Sequence, residues 1–233
     1  MTNEWPLIIV TGAGRSGTSA VARVLHESGV RMGSDFDAPS DVNPEGFYEE
    51  TTVWTLNQRL LDDLGMGDYR DPERWPSRST VLAAAAHHET AMRKLAANAT
   101  AGWKDPRFAI TLEAWLPRLP ARPKLIVCLR SPAAQAESVV RGYGLVDRAT
   151  VKRLWVKHYR RLLDVIQDYR LEATCVEFDA LVKCPQKTTA ALSEFVGHQL
   201  RPDYVNPSLQ RFMRPVPTKY TRLYREVLAL NGG

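Results

Sequence analysis

Apolar residues along this chain fall into two patterns. Short runs at 7–10, 124–129 and 173–178, of which Leu7-Ile8-Ile9-Val10 and Leu125-Ile126-Val127-Cys128-Leu129 are the purest, lack the alternation of a half-exposed strand. They predict strands covered on both faces. Between and around them the spacing becomes helical, over 17–29, 51–65, 79–99, 107–117, 133–143, 150–170, 185–197 and 217–230. In 150–170, Val151, Leu154, Trp155, His158, Leu162, Val165, Ile166 and Tyr169 form one apolar face suited to covering a sheet. Strands alternating with helices predict an α/β fold of three layers, a central parallel sheet flanked by helices, in one domain over 1–233. Ligands of such sheets sit at the C-terminal ends of the strands.

One region departs from this regularity. Residues 32–79 carry Pro39, Pro44, Pro72 and Pro76 together with Phe47, Tyr48, Trp54, Tyr69 and Trp75. Long irregular segments in compact domains commonly serve as binding elements or lids. Its aromatics either line a pocket or pack the segment onto the core.

The composition narrows the partners. Of 233 residues, 44% are apolar and 24% charged, as in ordinary globular proteins, and 31 basic against 26 acidic residues give a net charge of +5 and a pI near 9.2. That balance suits anionic ligands. The N-terminus lacks a basic segment followed by a long apolar one, and no stretch approaches the length of a membrane span. Cys128, Cys175 and Cys184 are odd in number and lack metal-ligand spacing, so they are expected to be reduced and structural, in a cytoplasmic protein. No His/Cys/Asp cluster has zinc spacing, and no metal is expected.

Chemistry enters at the end of the first strand, with Thr11-Gly12-Ala13-Gly14-Arg15-Ser16-Gly17-Thr18-Ser19. Gly12 and Gly17 have the spacing of the nucleotide triphosphatase loop G-x-x-x-x-G-K-[ST], but Thr18 replaces its lysine. The loop retains the means to hold an anion: backbone N–H groups at a helix N-terminus, with glycines that permit close approach. Arg15 supplies a planar cation suited to phosphate or sulfate oxygens. A second basic motif ends the strand at 124–129, where Ser131 can cap a helix that begins at Pro132, and Arg130 and Ser138 can grip one anion between them.

Together these motifs resemble those of the sulfotransferases that use 3′-phosphoadenosine 5′-phosphosulfate (PAPS). Gly14-Arg15-Ser16-Gly17-Thr18-Ser19 is similar to their loop for the 5′-phosphosulfate, and Arg130 through Ser138 to their 3′-phosphate element. Asn43-Pro44-Glu45-Gly46-Phe47-Tyr48-Glu49 and Gly102-Trp103-Lys104-Asp105-Pro106-Arg107-Phe108 resemble segments of bacterial members, and Val176 to Val182 another stretch of the family. The resemblance runs from about 7 to 215. It implies a P-loop-like fold, PAPS as donor with PAP (3′-phosphoadenosine 5′-phosphate) as product, and a small-molecule, sugar or lipid acceptor. Neither a nucleic acid partner nor a metal is implied.

The resemblance also suggests roles. Residues 14–19 would hold the 5′-phosphate, Arg130 and Ser138 the 3′-phosphate, and Arg15 and Lys104 the oxygens on which charge develops. Lys104 has an alternative as a surface lysine before a helix capped by Asp105 with Pro106 in its first position. Glu49 is the first choice of base, with Asp35, Asp37 and Glu45 as rivals. Histidine serves elsewhere in the family, which brings in His87 and His88, whereas His26 and His158 are expected to pack. An Arg-Lys-Gly sequence found near the C-terminus of many eukaryotic members is missing; Arg211 and Arg214 are the nearest substitutes, and Phe178 stands where some members have a tyrosine. Two other classes remain open: a P-loop small-molecule kinase, against which the missing lysine counts, and a non-catalytic polyanion-binding module, for which no recognisable nucleic-acid motif is present.

Overall fold

A computed structural model describes residues 6–67, 70–144 and 147–232. Among these residues, strands β1 (Ile8–Thr11), β2 (Gly102–Lys104), β3 (Lys124–Leu129) and β4 (Ala173–Glu177) form one sheet in the order β2-β1-β3-β4. Every pairing is parallel, with Ile8 opposite Gly102 and Lys124, and Leu125 opposite Ala173. The fold is α/β and P-loop-like, as expected.

Both faces of the sheet are covered, which explains the uninterrupted apolar runs. Ile9, Trp103, Leu125, Val127 and Leu129 face a core completed by helices α2 (Thr51–Asp63), α5 (Phe108–Trp115) and α7 (Arg148–Tyr169). Ile8, Val10, Ile126, Cys128 and Val176 face the other side, under α1 (Thr18–Glu27), α8 (Phe178–Lys183) and α9 (Pro185–Val196). Each fully buried aliphatic side chain contributes about 1.5–3 kcal/mol of transfer free energy, so each core anchors one layer. The remaining helices are α3 (Arg78–Ala85), α4 (Glu89–Ala97), α6 (Pro132–Tyr143) and α10 (Thr221–Leu228).

Two local expectations are corrected. The helix expected over 79–99 is two helices, α3 and α4, separated by a tight turn at Ala86–His88 that brings His88 Nε2 to 2.7 Å from Asp63. Phe178 begins α8 instead of ending a strand. Within the 32–79 region the helix expected over 51–65 forms as α2 and buries Val53, Leu56, Leu60 and Leu61. The helix expected over 107–117 forms as α5, and the Asp105 carboxylate caps the turn before it by accepting the Arg107 backbone N–H at 2.8 Å.

The strand β2 had no counterpart in the sequence pattern. It is three residues long and reads Gly-Trp-Lys, too short to show a period. Its glycine is required by contact: a Cβ at Gly102 would lie 2.5 Å from the Met32 sulfur and 3.0 Å from the Ile8 carbonyl oxygen. Among the described residues no helix is long and apolar enough to cross a membrane.

Candidate active site

The first wall of the site is the turn from β1 into α1. Gly12 has φ 145°, and a Cβ there would lie 2.4 Å from the Cys128 carbonyl oxygen, so the loop lies directly against β3. Arg15 holds φ 68° in the left-handed region, an uncommon choice for a non-glycine residue and one associated with functional turns. Gly17 has φ 96°, and its Cβ would meet the Phe178 ring at 2.4 Å. No side chain caps α1, which leaves its first N–H groups facing the loop. Gln135 secures the loop from α6 by donating to the Gly14 carbonyl at 2.7 Å.

The second wall is the turn from β3 into α6. As expected, Ser131 caps α6, accepting from the Ala133 N–H at 3.3 Å, and Pro132 is its first residue. Ser131 also donates to the Pro215 carbonyl at 3.0 Å. Arg130 is 4% exposed and stacks over the Phe178 ring at 4.6 Å. Its guanidinium donates to the carbonyls of Phe212 at 2.7 Å and Arg15 at 3.4 Å, while its Nε, also buried, has no partner. Burial lowers its pKa to about 10, which leaves it cationic at neutral pH. Arg15 Nε donates to Ser138 Oγ at 3.3 Å, joining the two walls.

The third wall is built around β2. Lys104, 2% exposed, ends the strand and donates from Nζ to Glu49 Oε1 at 2.5 Å. Arg107 approaches Glu49 Oε2 at 3.7 Å and bonds Asp105 at 3.0 Å and Gln58 at 3.0 Å. Burial raises the Glu49 carboxyl above its ordinary range, with Asp105 pushing the same way and Lys104 and Arg107 opposing. The segment carrying Glu49 is docked on the loop by Asn43, whose Nδ2 donates to Ser19 Oγ at 3.1 Å and to the Gly46 carbonyl at 2.6 Å.

These walls enclose one cavity of about 290 Å³. Gly14, Arg15, Gly17, Thr18, Ser19, Glu49, Lys104, Arg130, Ser138 and Arg211 all line it. Ser16 does not, being fully buried beneath the loop. Asp37, Phe47 and Trp54 also face the cavity. Arg107 sits over the Trp54 ring at 5.2 Å.

Other candidates lie elsewhere. Glu45 is held by Arg23 at 2.5 Å and Asn206 at 2.6 Å, and Asp35 serves through its backbone carbonyl, which accepts from the Thr51 N–H at 3.0 Å. Tyr48 donates to Glu27 at 3.2 Å and packs with His26 and Phe36, while Trp75 packs on His158 at 4.8 Å. His26 and His158 thus pack as expected, and burial lowers the His158 pKa to about 4. His88 is engaged with Asp63, and Arg214 is exposed. Tyr69 lies outside the described residues. Among the described residues no group of His, Cys, Asp or Glu is arranged to hold a metal.

Sequence reasoning missed the supports beneath these side chains: Asn57, Gln58 and Gln135. Asn57 carried a signal, since it interrupts the apolar face of α2 between Leu56 and Leu60. A lone polar residue on a buried face needs hydrogen-bond partners.

The sequence matches the model of a sulfotransferase family over residues 6–202. No curated protein matches it. Among solved structures its fold is similar to the sulfotransferase domain from the Synechococcus PCC 7002 olefin synthase, with a TM-score of 0.56, 16% sequence identity, and coverage of 97% of this chain and 96% of that chain.

Proposed function

This chain belongs to the sulfotransferase family, and from that premise we propose that it moves a sulfuryl group from PAPS to a hydroxyl of a small-molecule, sugar or lipid acceptor. One observation carries the reading: two anion grips and a buried lysine–carboxylate pair face the same cavity. The fit to the donor is supported by the uncapped start of α1 and by Arg130, whose buried Nε has no protein partner. A buried donor left unpaired is costly, and a phosphate oxygen would satisfy it. Three free thiols, with no disulfide, suit a reducing compartment, and we assign the reaction to the cytoplasm.

In this reading the α1 amides hold the 5′-phosphate, with the Thr18 and Ser19 hydroxyls beside them. Arg130 and Ser138 hold the 3′-phosphate, and Arg211, which lines the cavity, adds positive charge. Glu49 accepts the acceptor's hydroxyl proton as that oxygen forms its bond to sulfur. The bond from sulfur to the bridging oxygen breaks, and its electron pair stays on the 5′-phosphate of PAP. Lys104 and Arg15 stabilise the negative charge on the sulfuryl and bridging oxygens, the main catalytic term when little else is required of the protein.

The test is a screen of alcohols, sugars and lipid headgroups with PAPS, read as mass gain of one sulfuryl group, together with a thermal shift by PAP. Stabilisation by PAP and a sulfated product are expected. Stabilisation by ATP with Mg²⁺ and none by PAP would sink the proposal, and binding of oligonucleotides uncontested by PAP would count for a polyanion-binding module instead.

A further inference from the structure

Lys104 and Glu49 are assigned opposite tasks in the same step, yet they are bonded to each other at 2.5 Å. A carboxylate whose oxygen accepts from an ammonium is a weakened base. An ammonium neutralised by a carboxylate offers little to a sulfuryl oxygen. Both are buried, so solvent does not dilute the pairing. We infer that this ion pair is a donor-operated latch: Lys104 holds Glu49 in check until a sulfuryl group draws its ammonium away and releases the carboxylate as a base. The inference rests on the PAPS reading.

The surroundings of Glu49 make the release one-sided. The other cation at its carboxylate, Arg107, stands farther off at 3.7 Å and is committed to Asp105 and Gln58. Asp105 itself repels the charge on Glu49. Of the other charged side chains lining the cavity, Arg15 is bonded to Ser138, and Arg130 belongs to the opposite wall with Phe178 and Phe212. Asp37, Arg70 and Arg211 complete the charged lining. Lys104 is the cation bonded to Glu49 Oε1, so its loss leaves a buried carboxylate with weaker compensation beside an incoming anion. Both changes raise its proton affinity. The base therefore strengthens when the donor is in place, and an acceptor bound alone meets a restrained carboxylate.

Calorimetric titration in buffers of different ionisation enthalpy tests this without measuring turnover. PAPS binding to the wild type should take up measurably more proton near neutral pH than PAPS binding to Glu49→Gln, and PAP should show no such difference, because it lacks the sulfuryl group. In Lys104→Met, whose Glu49 has already lost its partner, only the charge of the incoming anion remains to act on Glu49, and the Glu49-linked uptake on PAPS binding should be smaller than in the wild type. Equal uptake in wild type and Glu49→Gln, or a Glu49-linked uptake that is the same with PAP, overturns the latch while leaving the sulfotransferase reading intact. If Glu49→Gln fails to fold, Lys104→Met decides the matter: wild-type uptake in that variant overturns the latch. Absence of any PAPS binding to the wild type would instead remove the functional reading beneath it.

Discussion

Asn57, in the middle of α2, donates from Nδ2 to Asp105 Oδ2 at 2.9 Å and so ties that helix to the residue following Lys104. Its Oδ1 accepts from Thr111 Oγ1 at 2.9 Å and from Trp115 Nε1 at 2.8 Å. Thr11 donates to the Asp105 carbonyl at 3.0 Å, which closes the network onto the end of β1. All five residues are buried. This network fixes the backbone from which Lys104 projects. Asn57→Ala leaves a buried indole N–H unpaired and removes a donor from a buried carboxylate. It should destabilise the fold by about 2–4 kcal/mol, measured by urea unfolding, and lower kcat more than it weakens PAP binding. Asn57→Asp should not rescue it, because a second carboxylate would then face Asp105.

Gly17 is fixed by two independent constraints, a left-handed backbone and contact with Phe178. Gly17→Ala should cost about 1–3 kcal/mol and weaken PAP binding as the loop is displaced. Phe178→Ala should relieve the clash but not the backbone strain. In a double-mutant cycle by urea unfolding, the combined cost should therefore be less than the sum of the single costs but greater than that of Phe178→Ala alone.

Arg130 is buried, cationic, and carries one donor with no partner. Arg130→Ala should raise the Kd for PAP about 10- to 100-fold, the loss expected for charge-assisted hydrogen bonds. Arg130→Lys should recover only part of this, because a lysine offers a point charge in place of the fork that stacks on Phe178. Calorimetry with PAP checks both variants. Unchanged affinity in Arg130→Ala would remove the residue from the 3′-phosphate site.

Burial raises the Glu49 carboxyl above its ordinary value of 4.5, with Lys104 the largest opposing influence. Turnover should fall as pH drops through that raised value, since only the carboxylate accepts a proton, and Glu49→Gln should lower kcat by about 10²–10⁴-fold with little change in PAP affinity. Stability runs the other way. A carboxyl raised in the folded state stabilises the fold most below its unfolded pKa, and this contribution is lost as pH rises through the folded value. Wild type should therefore lose stability relative to Glu49→Gln as pH rises from about 4.5. Urea unfolding at a series of pH values measures the difference, and a constant difference would contradict the shift.

The parts of the site that are local in the chain were legible before the structure. Glycine spacing marked the loop at 12–17, and the order Ser131-Pro132 marked the start of α6, because turn geometry and helix capping depend on adjacent residues. Lys104 was harder to place, since its strand is three residues long and is defined by pairing with β1. The acidic residues of the 32–79 region illustrate the limit best. Glu45, Glu49 and Glu50 lie within one short segment, yet Glu45 pairs with Arg23, Glu50 accepts from the Ser34 N–H at 2.6 Å, and Glu49 alone of the three turns into the cavity. The sequence made Glu49 the first choice among them but left Glu45 a rival, because which carboxylate faces the cavity depends on the partners that packing brings to each.

By itself the sequence determined a parallel α/β sheet buried on both faces and the two strand-to-helix turns at the ends of β1 and β3. Those features follow from apolar runs, helix starts and glycines, all of which act over a few residues. Tertiary structure alone decided that Lys104 meets Glu49 across 55 positions, that Phe178 lies beneath both Gly17 and Arg130, and that Asn57 supports Asp105. The physical reason is that ion pairing and proton affinity depend on which neighbours remain once water is excluded, and those neighbours are chosen by packing.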